Sequence, residues 1–307
     1  MRTPVRFATG MTKKANEPSM RKSLRIYVAL LLAVVFGWLW WSSPAVMAFA
    51  DEHWAGLLGI TALYLCSHVL RMLRLILLTL DERDNAFPLI SAHALTALPS
   101  SFLPFKLGEL LRMAAFFRAC GTHQKAFVVW LAERFGDILV ITVFILGLYL
   151  LDIKVPPDMR TVFIAFVLIS GIGLFGLFAL AKAFVYLNRH LVLTSLSSRG
   201  LLLLRTSHAL RSLEMAIHKS IEGRVSGFLL LSVLIWFFEI LALSIFIRLL
   251  AVGDPDFAEL FASGLMASLP SGSPDAFGIY QSLALVALTV VFLLVVWLAA
   301  RFKITRI

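Results

Sequence analysis

The chain has 307 residues, 60% of them hydrophobic and only 15% charged, against about 45–50% apolar and about 25% charged in an ordinary soluble domain. That balance excludes a soluble globular protein. The net charge of +10 does not imply nucleic acid, because Lys and Arg gather in the first 25 residues, in 182–224 and in the tail RFKITRI, where the preference for positive cytoplasmic loops accounts for them.

In chain order, residues 1–25 form a basic segment with Arg2, Arg6, Lys13, Lys14, Arg21, Lys22 and Arg25 against Glu17, which the charge rule keeps in the cytoplasm. The apolar run 26–41 follows. Its basic flank and the later AVMAFA imitate a cleavable signal, but the long basic region favours an uncleaved first span. A short external turn, SSPAVMAFADEH, leads into a second run, 54–80, with Arg71 and Arg74 near its inner end. These two arginines are expected to snorkel to headgroup phosphates. Further runs at 126–151, 161–183, 225–251 and 279–300 approach the roughly 20 residues needed for a crossing.

Between the second and third runs, residues 86–118 are apolar yet broken. The stretch LPSSFLPFKLGELLR holds Pro99, Pro104, Gly108, Lys106, Glu109 and Arg112. Four charges, with Arg118, on one lipid-facing span would cost roughly 10 kcal/mol. The segment is therefore expected to dip in from the cytoplasm and return, since broken backbone at membrane depth must be buried in protein or line a wet cavity. Residues 257–275 are expected to do the same from outside, with turning points at 100–103 and 271–273.

The connection 184–224 carries an excess of Lys and Arg and is expected to be cytoplasmic. Leu210, Leu213, Ile217 and Ile221 share one helical face there; an amphipathic interfacial helix and a plain cytoplasmic extension both fit. The fold expected is an all-α polytopic membrane protein with about six full spans and two opposed re-entrant hairpins, one membrane domain over 26–301 and a cytoplasmic tail at 302–307.

The two broken stretches are alike. LPSSFLPFKLGELLR and LPSGSPDAFGIYQS both begin Leu-Pro-Ser, add a second proline (Pro104; Pro274 after Pro270) and place a glycine four residues later, Gly108 and Gly278. Paired Pro/Gly-interrupted segments in opposite halves point to an inverted repeat with a binding site between them. Chance similarity between two loops is the plainer alternative.

The pattern P-x-[KR]-x-G-E-x-x-R at Pro104, Lys106, Gly108, Glu109 and Arg112, with AERFGD downstream (Glu133, Arg134, Asp137), resembles the lysylphosphatidylglycerol synthetase transmembrane-region family. This flippase-like family also includes archaeal membrane proteins linked to dolichol-sugar pathways. LIWFFEILALSIFIRLLAVG, with Glu239, and SGSPDAFGIYQS are similar to its later segments. The resemblance covers most of 20–300. Two departures matter: Pro274-Asp275-Ala276 stands where the family has glycines, and Gln281 where it has glutamate. No stretch resembles the soluble aminoacyl-transferase domain, so a lone membrane domain that does not perform that synthesis is expected.

Together these readings make Lys106, Glu109, Arg112, Glu133, Arg134, Asp137, Ser271, Asp275 and Gln281 the candidate headgroup site. Glu109 and Arg112 are expected to pair at i, i+3, and Glu239 to meet Arg248 or a residue across the cavity. His68 and His93 are expected as buried, hydrogen-bonded side chains. Cys66 and Cys120 lack the spacing of a disulfide or metal site, and no phosphate loop, HExxH or nucleophile elbow is present. Neither a cofactor nor a catalytic residue is expected. The function expected is movement of a polar lipid, an anionic phospholipid or a polyprenyl-phosphate lipid, across the inner membrane. An enzyme acting on a lipid-linked substrate, and a scaffold for an envelope-biosynthesis partner, are the alternatives; a homodimer also fits.

Overall fold

The computed structural model describes residues 17–81, 86–101, 107–150, 198–250 and 274–301, with parts of 160–186. Regular structure among the described residues is entirely helical: α1 Glu17–Leu78, α2 Ala86–Ser100, α3 Leu107–Ala119, α4 His123–Leu150, α5 Ser198–Ile221, α6 Val225–Leu250 and α7 Pro274–Arg301. A shorter apolar helix covers Phe163–Gly173, within the expected span 161–183.

Among the described residues, four stretches are long and apolar enough to cross a bilayer: Arg25–Pro44, His53–Leu78, Val225–Leu249 and Ile279–Leu298. At 28 residues α4 is also long enough, about 40 Å at 1.5 Å per residue, but it carries Lys125, Glu133, Arg134 and Asp137. The chain is an all-α polytopic membrane protein. The turn expected at 42–53 is instead helical through Glu52, its Ala and Met being good helix formers. The backbone leaves helical geometry only at His53 (φ −130°, ψ 24°).

Residues up to Pro44 and residues from Ala45 onward form two compact units. In the first, Phe36, Trp40 and Trp41 are exposed, which suits side chains facing lipid and its interface. The second contains the remaining helices. Leu75 and Leu78 of α1, Leu89 and Ala92 of α2, Phe116 of α3, Ala126 and Val129 of α4, and Phe228 of α6 make one apolar cluster. Ile141 and Ile145 of α4 meet Phe163, Leu243 and Ile247 in another, and Ile60, Ala242, Phe246 and Ile279 tie α1, α6 and α7. Outward faces remain apolar, for example Leu58, Val69, Leu73, Leu230, Val233, Phe237, Leu293 and Leu294. Apolar surface outside and ionised groups inside is the arrangement hydrocarbon favours. Several hydroxyls are satisfied locally, Thr79 on Leu75, Thr96 on Ala92 and Ser232 on Phe228 carbonyls.

Helices α2 and α3 have 15 and 13 residues, about 22 and 20 Å, each short of a crossing. Leu89 at the start of α2 shares a cluster with Phe116 near the end of α3, so the two run antiparallel as a helical hairpin. Its connection begins after Ser100, within the expected turning region, and residues 102–106 lie outside the described ones. The second expected hairpin, 257–275, and its turning point at 271–273 lie outside the described residues up to Pro274, the first residue of α7. There a missing backbone donor costs nothing.

Besides Pro274, three further residues expected as breaks are helical. Pro99 is the penultimate residue of α2, Gly108 the second of α3, and Gly278 lies in the second turn of α7. Pro99 removes one donor from the last turn of α2, and the helix ends one residue later. Gly108 serves a close approach, since a Cβ there would collide with the Ser100 backbone and lie 2.6 Å from its Cβ. Gly108→Ala is expected to cost about 1–3 kcal/mol by forcing the hairpin apart, read as a lower thermal midpoint in detergent; an unchanged midpoint would contradict this packing role.

On α5, Ser207 is buried and Leu210, Leu213 and Ile217 are half-buried on one stripe, while Arg205, Arg211, Glu214 and Lys219 are exposed. The helix is therefore two-faced as its sequence spacing suggests. Beyond it Arg224 donates to Asp81 Oδ1 at 2.6 Å and to the Leu77 carbonyl at 3.3 Å, pinning the start of α6 to the end of α1.

Candidate functional site

Arg71 and Arg74 of α1 are three residues apart and so face the same way. Glu133 and Asp137 of α4 are one turn apart, with Arg134 on the neighbouring face. Glu109 and Arg112 come from α3, and Ser232 and Glu239, two turns apart, from α6. In sequence these groups are remote. Packing makes them one connected ionic network.

Arg74 donates to Asp137 Oδ1 at 2.8 Å and to Ser232 Oγ at 3.0 Å, and lies 3.5 Å from Glu133. Arg112 donates to both Glu133 oxygens at 2.9 and 2.8 Å. Arg71 meets Glu239 at 2.7 Å and Asp137 at 3.6 Å, and Ser67 also donates to Glu239, at 3.1 Å. Arg134 meets Glu109 at 3.2 Å and Asp137 at 3.5 Å. Aromatic rings lie near three of the guanidiniums, Trp236 by Arg71, Phe228 by Arg74 and Phe116 by Arg112. Gly136 lets α4 come this close to α6, since a Cβ there would lie 2.7 Å from both Phe228 Cζ and Ser232 Oγ.

Four arginines and four carboxylates thus form a set that is formally neutral. Unpaired in hydrocarbon, the arginines alone would cost roughly 10 kcal/mol or more; mutual pairing with well-aligned hydrogen bonds is what permits them. The network also has depth. Arg71 lies seven residues from the Leu78 end of its span and Glu239 fourteen from the Val225 end of α6, about 10 and 21 Å along the axes. Burial is graded, complete at Arg74 and Glu133 and relaxing to 23% exposure at Arg134 and 27% at Glu109. The Glu109–Arg134 pair is the rim of the network, and Arg112 Nε and Arg134 Nη2 have no hydrogen-bond partner among the described residues.

Several expectations are corrected here. Glu109 and Arg112 do not pair; Arg112 hydrogen-bonds to Glu133 and Glu109 forms an ion pair with Arg134, both on α4. Arg71 and Arg74 do not snorkel but pair with the carboxylates of Glu133, Asp137 and Glu239. Of the two partners expected for Glu239, the structure gives the one on another helix, Arg71, and not Arg248. His68 and His93 are buried with their rings 5.7 Å apart, yet neither ring has a hydrogen-bond partner among the described residues.

Of the candidate site residues, Glu109, Arg112, Glu133, Arg134 and Asp137 come together. Gln281 stands apart at the hairpin, where its Nε2 donates to the Ser101 carbonyl at 2.7 Å. A glutamate there could not donate while ionised, which gives the departure from the family residue a physical reason. Lys106 and Ser271, with Pro104 and Pro270, lie outside the described residues, as does the side chain of Asp275. Arg71, Arg74 and Glu239 were missed as network members. The signal was available, because two arginines inside an apolar span need carboxylates of equal depth. Cys66 and Cys120 form no disulfide, and no cluster of metal-ligating side chains is found among the described residues.

Comparison with known proteins returns one family model, described as the lysylphosphatidylglycerol synthase TM region, which matches residues 25–292. No curated protein and no solved structure matches the chain.

Proposed function

The chain belongs to the lysylphosphatidylglycerol synthase TM-region family, and within it we propose a protein that moves a polar lipid across the bilayer without modifying it. As a family member it is a membrane protein of lipid metabolism or transport. The observation that carries the finer reading is the graded, neutral network, buried at Arg74 and Glu133 and part-open at Glu109 and Arg134. Carrying an ionised headgroup through bare hydrocarbon would cost tens of kcal/mol by Born estimate. Paired charges that can exchange partners offer it a polar path, while the acyl chains stay against the apolar outer faces. The bidentate geometry of arginine suits a phosphate, so the lipids favoured are anionic phospholipids and polyprenyl-phosphate lipids.

Reconstitution into liposomes with a fluorescent phosphatidylglycerol tests this. Dithionite-accessible label should rise well above protein-free vesicles, with no new lipid species formed. A new species would make the protein an enzyme, and neither result would favour the scaffold.

The charge distribution further supports an inner-membrane orientation with both termini in the cytoplasm. A cysteine placed at position 205 should then react only from the cytoplasmic side and one at 254 only from outside; external labelling at 205 would invert the arrangement.

A further inference from the structure

His68 of α1 and His93 of α2 are both nine-tenths buried or more and stack 5.7 Å apart with their planes tilted by 35°. All four ring nitrogens are inaccessible and lack a hydrogen-bond partner among the described residues. A buried imidazole normally keeps one N–H donated and the other nitrogen accepting, so two empty rings side by side call for an explanation.

The surroundings define when a proton is welcome. From α1 the pair is faced by Tyr64, whose ring lies 5.0 Å from His68, and by Arg71 and Arg74; from α3 it is faced by Arg112. Glu239 reaches in from α6 but is held by Arg71 and Ser67. On the α7 side Val291 and Val295 pack on Ala94 and are apolar. Every carboxylate of the network is already matched by an arginine. A proton on either ring therefore adds a fifth cation to a neutral interior. An anionic headgroup arriving alone adds a fifth anion. Arriving together they restore neutrality.

We propose that His68 and His93 jointly take up one proton as an anionic phosphodiester headgroup enters the network, and release it when the headgroup leaves. The proton comes from water and resides on an imidazole nitrogen, and the single negative charge of the phosphodiester balances it. A zwitterionic headgroup brings no net charge and recruits no proton. The pair is a coupling site, distinct from the residues that contact the lipid. This rests on the reading that the interior receives a headgroup, and it makes a proton gradient the source of direction.

The test uses the purified full chain in detergent and short-chain dihexanoyl phosphatidylglycerol, titrated calorimetrically in buffers of different ionisation enthalpy. Uptake of about one proton makes affinity rise by up to about tenfold for each unit by which the pH is lowered. Dihexanoyl phosphatidylcholine should show no such slope. His68→Gln and His93→Gln, made singly, should each flatten the phosphatidylglycerol slope. Nitrogen NMR of histidine-labelled wild-type protein gives a readout that needs no variant, with an imidazolium signal emerging on addition of phosphatidylglycerol. Absence of binding, pH-independent binding, an equal slope with phosphatidylcholine, or an unchanged slope in both folded variants overturns the proposal. The liposome assay separates it from the transport reading. Lipid movement without proton uptake leaves transport standing and removes the coupling site; proton uptake without lipid movement does the reverse.

Discussion

Glu133→Gln is expected to destabilise the protein by about 3–5 kcal/mol. Glu133 is fully buried and serves two arginines, accepting both hydrogen bonds from Arg112 and lying 3.5 Å from Arg74. Glutamine preserves the shape but leaves the cations one carboxylate short, in surroundings where water cannot reach them. Unfolding in mixed micelles with increasing SDS should show the loss directly. The double replacement Arg112→Met/Glu133→Gln removes one charge of each sign and leaves Arg74 on Asp137. It should recover at least half of the deficit, since a buried pair exchanged for apolar or neutral groups is often nearly neutral in stability. A single-substitution cost below about 1 kcal/mol would mean that water reaches Glu133.

The rim pair is expected to behave in the opposite way, with little effect on the fold and a large one on transport. Glu109→Gln/Arg134→Met deletes one charge of each sign at the part-open end of the network, leaving Asp137 held by Arg71 and Arg74. Stability should change by less than about 1 kcal/mol, as partly exposed pairs contribute little. Movement of labelled phosphatidylglycerol in liposomes should fall by more than tenfold, because the groups that exchange partners with an incoming headgroup are gone. Arg134→Lys keeps the charge but loses the planar fork, and should lie between wild type and the double variant. Full transport by a stable double variant would show the pair to be architectural.

Much of the architecture was legible because partition between water and hydrocarbon is decided residue by residue. The apolar runs 54–80, 225–251 and 279–300 announce themselves by composition, and the structure returns helices at the same places. The broken character of 98–112 was equally plain, since two prolines, a glycine and three charges cannot lie in lipid as one helix. Which charge met which was not legible. Local spacing favoured Glu109 with Arg112, yet both reach α4, because the hairpin lays α3 beside that helix. Arg71 and Arg74 read as headgroup anchors only while Glu133, Asp137 and Glu239 were unplaced.

By itself, then, the sequence determined an all-α polytopic membrane protein of a recognisable family, with a polar break at Pro104 to Arg112 and carboxylates in AERFGD. Those properties follow from hydropathy and short-range spacing, which need no knowledge of neighbours. Only the tertiary structure decided that eight charges from four helices form one neutral network open at Glu109 and Arg134, and that His68 and His93 lie sealed beside it. An ion pair between residues as far apart as Arg71 and Glu239 depends on how helices stack, and its strength falls away within a few ångströms.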